Sequence, residues 1–269
     1  MVRPAQRSLA NARVDAARAA WRGPSRQARR RSAVGAALRA LATLLLFTAL
    51  LVALAGAVYL LREVPSADSV KSELIAQASA RGAAWVPLDE VPTSMQQAIV
   101  ATEDARFYEH RGLDVLGMMR ATLANLRAGR PVQGGSTISQ QLAKRYLERT
   151  DRTAERKLLV LAMTAKLELH YDKADILEMY LNSIYFGPYA YGIGSAARVY
   201  FHKPVADLTL PESTLLAGLP QAPSLYDPIH QLARVKARQR VVIAAMARAG
   251  YLTPAEAEAA QTARTSLDP

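Results

Sequence analysis

The chain has 269 residues, no cysteine and a formal net charge of +11. Without cysteine, disulfides and thiolate metal sites are excluded. The charge would suit nucleic acid, but ten arginines and one acid, Asp15, fall in residues 1–39, so about +9 of the +11 lies in one tail. No basic stripe interleaved with aromatics follows it, and nucleic-acid binding is not expected.

Residues 1–39, rich in Ala and Arg and interrupted by Gly23-Pro24, read as a basic, largely disordered cytoplasmic tail. Ala40 to Leu61 is 22 residues without charge, bracketed by Arg39 and Arg62. As a helix at about 1.5 Å per residue it spans about 33 Å, enough for a bilayer core of about 30 Å. The arginines before it place the N-terminus in the cytoplasm and residues 62–269 outside, as one exported domain. A cleaved signal peptide and a buried core helix are the rival readings. Ala53-Leu54-Ala55 resembles a cleavage site, but the apolar run continues past it and the leader is long for a signal peptide.

Val64-Pro65 breaks this helix, and Val70, Leu74, Ile75 and Ala78 predict a short one over 68–81, stopped at Gly82. Trp85-Val86-Pro87-Leu88 reads as extended, since a residue before proline avoids the helical region. Thr93 with Gln96 has the form of a capping box, opening a helix that turns Met95, Ala98, Ile99 and Thr102 inward and runs into Glu103-Asp104. Asp114 caps a helix with Val115, Met119, Leu123 and Leu126 as its apolar face, and Gly129 ends it. A turn-rich loop over 129–135 follows. Thr137 and Gln140 form a second capping box, for a helix to about Leu147. Asp151 or Thr153 caps a long apolar helix to about Tyr171, and Asp172 caps another carrying Ile176, Leu177, Tyr180 and Leu181. After Gly187-Pro188 a helix is expected from Gly192 to Tyr200. Another opens at Thr209 to Glu212, with Pro211 in its first turn. Helices at about 230–249 and from Thr253 complete the chain, with Gly250 between them. No alternating strand of five or more residues is present, so the expected class is mostly α.

Glu103 and Asp104 are adjacent, about 100° apart on a helix, and can face one reacting bond only if the helix ends there. A solvated acidic helix end beside Arg106 is the plain alternative, and His110 by itself reads as a turn residue. Gly134-Gly135-Ser136-Thr137 precedes a helix start whose N–H groups favour anions, although a simple N-cap explains it and the P-loop pattern is missing. Gln140, Gln141 and Lys144 share one helix side. Arg152, Arg156 and Lys157 form a basic cluster suited to a diphosphate or to a solvated surface, and Asn182 sits where a polar helix cap is ordinary. Carboxylates move protons, and cations with amides hold phosphate. Together these residues would equip sugar transfer from a phosphate leaving group.

In this order the residues resemble the peptidoglycan glycosyltransferases, found alone as monofunctional transglycosylases and as the first domain of class A penicillin-binding proteins. The resemblance is carried by Glu103-Asp104-x-x-Phe107-x-x-His110-x-Gly112, then Gly135-Ser136-Thr137-x-x-Gln140-Gln141 with Lys144, then Arg156-Lys157. Lys173-x-x-Ile176-Leu177-x-x-Tyr180-Leu181-Asn182 with Gly187 and the run Leu215-Leu-Ala-Gly-Leu-Pro-Gln-Ala-Pro-Ser224 extend it over about 85–258. It implies a lysozyme-like, two-lobed, mostly α domain with one N-terminal transmembrane helix, on the outer face of the bacterial cytoplasmic membrane. The implied activity is polymerisation of lipid II into glycan strands for the cell wall and cell shape, by β-1,4 transfer with release of undecaprenyl diphosphate.

Glu103 matches the family's general base. Asp104, Arg106, Phe107, His110, Gly135, Ser136, Thr137, Gln140, Gln141, Lys144, Arg152, Arg156, Lys157 and Asn182 match substrate-binding positions, with Lys144, Arg152, Arg156 and Lys157 at the donor diphosphate. The resemblance also implies a divalent cation, Mg2+ or Mn2+, and no organic cofactor. The implied partners are lipid II, the growing strand, the membrane and other cell-wall synthesis proteins. The chain ends eleven residues after Glu258, so no transpeptidase domain is expected. One position departs: where the family has Arg-Lys-x-x-Glu, this chain reads Arg156-Lys157-Leu158-Leu159-Val160. The missing glutamate leaves open a weak polymerase or a lipid II-binding scaffold of the same fold. A lysozyme-like hydrolase would need carboxylates arranged to activate water, and the basic cluster fits a diphosphate leaving group better.

Overall fold

The computed structural model describes residues 26–130, 134–147, 154–222, 225–265 and 267. The chain divides into two compact units between Tyr59 and Leu60. Most of the first described helix, α1 (Arg26–Glu63), lies in the first unit. Its stretch Gly35–Leu60, 26 residues with mean hydropathy 2.5, is long and apolar enough to cross a membrane and is not buried by protein.

The second unit holds α2 (Val70–Ala80), α3 (Thr93–Glu103), α4 (Val115–Ala128), α5 (Ile138–Tyr146), α6 (Ala154–His170), α7 (Lys173–Ser183), α8 (Gly192–Phe201), α9 (Leu210–Gly218), α10 (Leu232–Arg248) and α11 (Pro254–Thr262). Short 3-10 turns lie at Leu88–Glu90 and Val205–Asp207. Among the described residues the β pairing is one isolated bridge, Tyr185 with Tyr191, so the mostly α class holds.

Local chemistry explains most boundaries. Asp114 accepts from Gly117 N and Asp172 from Asp175 N, while Thr137 with Gln140, Thr209 with Glu212 and Thr253 with Glu256 form reciprocal capping boxes. The expected box at Thr93 does not form. Pro92 is the N-cap, and it has neither an N–H to give nor a side-chain oxygen to accept with. Gln96 Nε2 donates instead to Leu88 O (3.1 Å) and Val91 O (2.9 Å), tying α3 to the 3-10 turn before it. The apolar face of α4 is present but points away from the core: Val115, Met119 and Leu126 are 61%, 64% and 73% exposed. Asp151 and Thr153, the expected caps of α6, lie outside the described residues, as do Pro223, Ser224 and the tail before Arg26.

α3 packs on α9 and α10, with α11 against both of the latter; α5, α6 and α7 pack together, with α2 and α8 on α7. One continuous core joins the two groups, with Met95, Ile99, Phe107, Ile138, Leu142, Met163, Leu167 and Tyr180 fully buried. Each apolar side chain of this size stabilises the fold by about 1.5–3 kcal/mol.

The segment 64–88 is fastened by residues far along the chain. Lys166 Nζ donates to Val64 O (2.6 Å), Tyr171 OH to Ala67 O (2.6 Å) and Trp85 Nε1 to Glu178 Oε1 (3.0 Å). Lys71 Nζ pairs with Asp175 (2.7 Å) and Glu178 (2.9 Å). Asn182 serves Val86 as a neighbouring strand would: its Oδ1 accepts from Val86 N (2.8 Å) and its Nδ2 donates to Val86 O (2.7 Å).

Candidate active site

α3 stops at Glu103. Asp104 N still donates to Val100 O (2.9 Å), but the Asp104 backbone leaves the helix at φ −157°, ψ 74°. The break separates the two neighbouring carboxylates. Both border a cavity of about 700 Å³ walled by the end of α3, the starts of α4 and α5, and α10, but their side chains find different partners.

Glu103 Oε2 accepts from Gln141 Nε2 (2.8 Å), and Gln141 Oε1 accepts from Tyr180 OH (3.0 Å). Tyr180 is fully buried, and burial, with the nearby Glu103 and Asp104 charges, raises its hydroxyl well above the ordinary value. It therefore remains a donor and holds the amide with its NH2 toward Glu103. Glu103 Oε1 accepts no hydrogen bond among the described residues. Burial raises the Glu103 carboxyl above the usual glutamate value. The Gln141 bond and the attraction of Arg238 oppose that rise, and Asp104 adds to it. The result is a half-buried carboxylate, more basic than an exposed one, with one oxygen held and one open. A general base needs this.

Asp104 has both oxygens engaged. His110 Nε2 lies 2.9 Å from Oδ1, and Ile138 N donates to Oδ2 (3.0 Å), which caps the first turn of α5. Burial raises this carboxyl too, against the His110 and Ile138 bonds and the Lys173 charge. Asp104 thereby sets α5, and with it Gln141, relative to Glu103. Phe107 is buried beneath Lys173, whose Nζ lies 4.4 Å from the ring centroid. Lys173 pairs with Glu168 (2.8 Å), and Ser139 Oγ donates to the same carboxylate oxygen. Thr137 Oγ1 donates to Gly112 O (2.7 Å). Gly112 sits at φ +84°, and a Cβ there would lie 2.7 Å from Thr164. Phe107, His110, Thr137 and Gln140 therefore hold the cavity wall in place.

Arg106 borders the cavity, with Nε on Glu109 (2.7 Å) and a terminal nitrogen on Asp114 (3.0 Å). Gly135, Ser136 and Thr137 also line it. Lys144 is exposed on α5, three residues past Gln141. Arg156 is half-buried and Lys157 exposed on α6. None of these three lines the cavity. Arg152 lies outside the described residues. Asn182 faces Val86 rather than the cavity. Val160 packs half-buried against the core.

The sequence reading did not nominate Tyr180, Gln221, Arg238, Arg248 or Tyr251. Tyr180 had a usable signal: a hydroxyl at a core-facing position of an apolar helix needs a buried partner. Arg238 had none, since Arg234, Lys236 and Arg240 surround it on α10. Among the described residues no three His, Cys, Asp or Glu side chains converge as a metal centre would require. Asp114 and Glu109, the other cavity acids, are tied to Arg106. Among the described residues there is therefore no ready site for Mg2+ or Mn2+.

A family model described as Transglycosylase matches residues 71–247. Penicillin-binding protein 1A of Escherichia coli (strain K12) is 44% identical over 194 residues, covering 72% of this chain and 23% of that protein. Penicillin-binding protein 1A of Aquifex aeolicus (strain VF5) is 46% identical over 176 residues, 65% of this chain and 24% of that protein. The crystal structure of penicillin-binding protein 1A from Haemophilus influenzae aligns with a TM-score of 0.40 at 26% identity, over 67% of this chain and 17% of that one. The chain spans about a quarter of the length of the curated relatives it matches.

Proposed function

The chain belongs to the transglycosylase family, and from that premise we propose that it polymerises lipid II into peptidoglycan glycan strands, with Glu103 as the general base. The observation that carries this reading is the Glu103 carboxylate on the cavity, one oxygen held by Gln141 and the other open. In the reaction, Oε1 takes the proton of the acceptor sugar's 4-hydroxyl as that oxygen attacks the donor's anomeric carbon. The bond to undecaprenyl diphosphate breaks with inversion, and the new β-1,4 linkage forms. The resemblance assigns Lys144, Arg152, Arg156 and Lys157 to the departing diphosphate, where charge grows in the transition state. Lys144, Arg156 and Lys157 stand outside the cavity lining, so on this reading the diphosphate extends beyond the cavity toward them.

Lipid II has its head group at a bilayer surface, and α4 supports placement there. The helix that gives Gly117, Met118 and Arg120 to the cavity wall exposes Val115, Leu116, Met119, Leu123 and Leu126 on its outside. A contiguous apolar patch of this kind marks an interaction surface. We read it as lying on the outer leaflet of the cytoplasmic membrane, with Gly35–Leu60 spanning it and the arginine-rich tail in the cytoplasm. A reporter fused after Pro269 is then active only outside the cytoplasm; cytoplasmic activity refutes the orientation.

Incubating the full chain with lipid II and sizing the products tests the activity. Long glycan supports the polymerase. A second reading, a lipid II-binding scaffold, is favoured by Val160, which puts an apolar side chain where the resembled family has a glutamate. Binding without product supports that reading, and shortening of added glycan points to a hydrolase.

A further inference from the structure

Arg238 reaches the cavity from α10, which packs on α3. Its side chain is laid along the end of α9. Nε donates to Gly218 O (3.3 Å), and a Cβ at position 218 would lie 2.9 Å from Arg238 Cγ. Any residue but glycine at 218 would press on this stem. Two of the other cavity cations are tied to acids: Arg106 to Glu109 and Asp114, and Arg120 to Asp114 at 3.7 Å. Arg238 has no ion-pair contact with a carboxylate among the described residues.

The groups around Glu103 are few. Asp104 follows it on its own chain, Gln141 comes from α5 with Tyr180 of α7 behind, and Arg238 comes from α10. α9 also packs on α3, but its acid, Glu212, is bound to Lys203 (2.8 Å) and Thr209. The remaining charged groups on the cavity are Arg106, Glu109, Asp114, Arg120 and Arg248. Burial favours a neutral carboxyl. A neutral Glu103 accepts no proton, so a nearby cation widens the pH range over which this carboxyl can act as a base. A cation bonded directly to Oε1 would crowd the oxygen that the acceptor hydroxyl must reach and lower its basicity. Arg238 satisfies both demands: it borders the same cavity as Glu103 without hydrogen bonding to it among the described residues, and its own Nε is anchored on Gly218, so its charge can act on Glu103 while Oε1 stays open.

We propose that Arg238 is a positioning residue of the transfer reaction: its guanidinium keeps Glu103 ionised while leaving Oε1 open to the acceptor, and Gly218 gives its side chain the room to do so. The proposal rests on the polymerase reading of Glu103. Its test separates the two by following the Glu103 carboxyl directly as well as the reaction.

The experiment uses the full chain in detergent, labelled with 13C-carboxyl glutamate, with Glu103→Gln identifying the signal. Wild type, Arg238→Gln, Arg238→Lys and Gly218→Ala are titrated, assayed for lipid II polymerisation against pH, and melted. Arg238→Gln should move the Glu103 titration upward, and the acid limb of kcat/KM with it, by about one pH unit. That is about a tenfold loss below the limb with recovery at alkaline pH. Arg238→Lys should restore most of the shift, and Gly218→Ala should show a smaller shift in the same direction. An unmoved Glu103 titration in Arg238→Gln overturns the proposal, as does a rate loss of equal factor at every pH. If Arg238→Gln fails to fold, Gly218→Ala decides by the same titration. If wild type makes no polymer, the polymerase reading fails while the titration still decides the effect of Arg238 on Glu103.

Discussion

Replacing Glu103 by Gln should separate activity from stability in opposite directions. Glutamine keeps the size of the side chain, and its carbonyl oxygen can still accept from Gln141 Nε2, which lies 2.8 Å from Glu103 Oε2. It cannot take a proton, and loss of a general base costs about 10²–10⁴-fold in rate. The stability effect follows from the raised Glu103 carboxyl, whose main cause is burial. The folded protein holds this proton at a pH where the unfolded chain has released it. The contribution of Glu103 is therefore full below the ordinary glutamate value and lost as pH rises through the raised one. Glutamine loses nothing over that window. Stability of the variant relative to wild type should climb with pH there, by at most about 1.4 kcal/mol per pH unit, and less because the cavity admits water. Denaturant unfolding at a series of pH values, beside lipid II turnover on the same preparations, measures both. An unchanged rate would move the base elsewhere, and a stability gap that stays flat with pH would refute the burial argument.

Val160→Glu should raise lipid II polymerisation by roughly 10- to 1,000-fold if an absent carboxylate limits the rate. It should lower the melting temperature, because a charge replaces a half-buried apolar group; a folded variant no faster than wild type would show that the carboxylate is not limiting. In a form lacking residues 1–61, Leu123→Glu with Leu126→Glu should cut partitioning onto anionic lipid vesicles by about 100-fold. The melting temperature should barely change, since both side chains are exposed; unaltered vesicle binding would place the membrane contact elsewhere. Asn182→Ala strips Val86 of both backbone partners and should cost about 2–5 kcal/mol in unfolding free energy; a loss below 1 kcal/mol would mean that water replaces the amide.

Much of this arrangement is legible in the sequence. Asp114, Thr137, Asp172, Thr209 and Thr253 announced helix starts because a cap is a contact between residues two or three apart. Gln96 misled for the same reason: the pattern Thr-x-x-Gln is local, but the N-cap fell on Pro92 and the amide found carbonyls behind the helix. The apolar face of α4 was readable as a face, yet periodicity does not say whether core, lipid or water lies opposite. Glu103 and Gln141 were each singled out by a motif, while their contact and the groups behind it were not. Gln141, Tyr180 and Arg238 come from three helices up to 135 positions away, and nothing in the spacing of α10 distinguishes Arg238 from its basic neighbours. Asn182 read as a cap because its bonds to Val86 cross 96 positions.

Those long spans have a consequence during synthesis. The residues that fasten 64–88 lie between Lys166 and Asn182, 93 to 104 positions later for the bonds to Val64, Ala67, Lys71, Trp85 and Val86. At about 5–20 residues per second the ribosome needs about 5–20 s to deliver them after the segment itself has been made. For that interval the stretch following α1 lacks these fasteners, and only nearer groups such as Gln96 on Leu88 O and Tyr146 on Glu73 are there to hold it. Nascent chains arrested before Lys166 should be cut by protease between 64 and 88, and chains arrested well beyond Asn182 should resist.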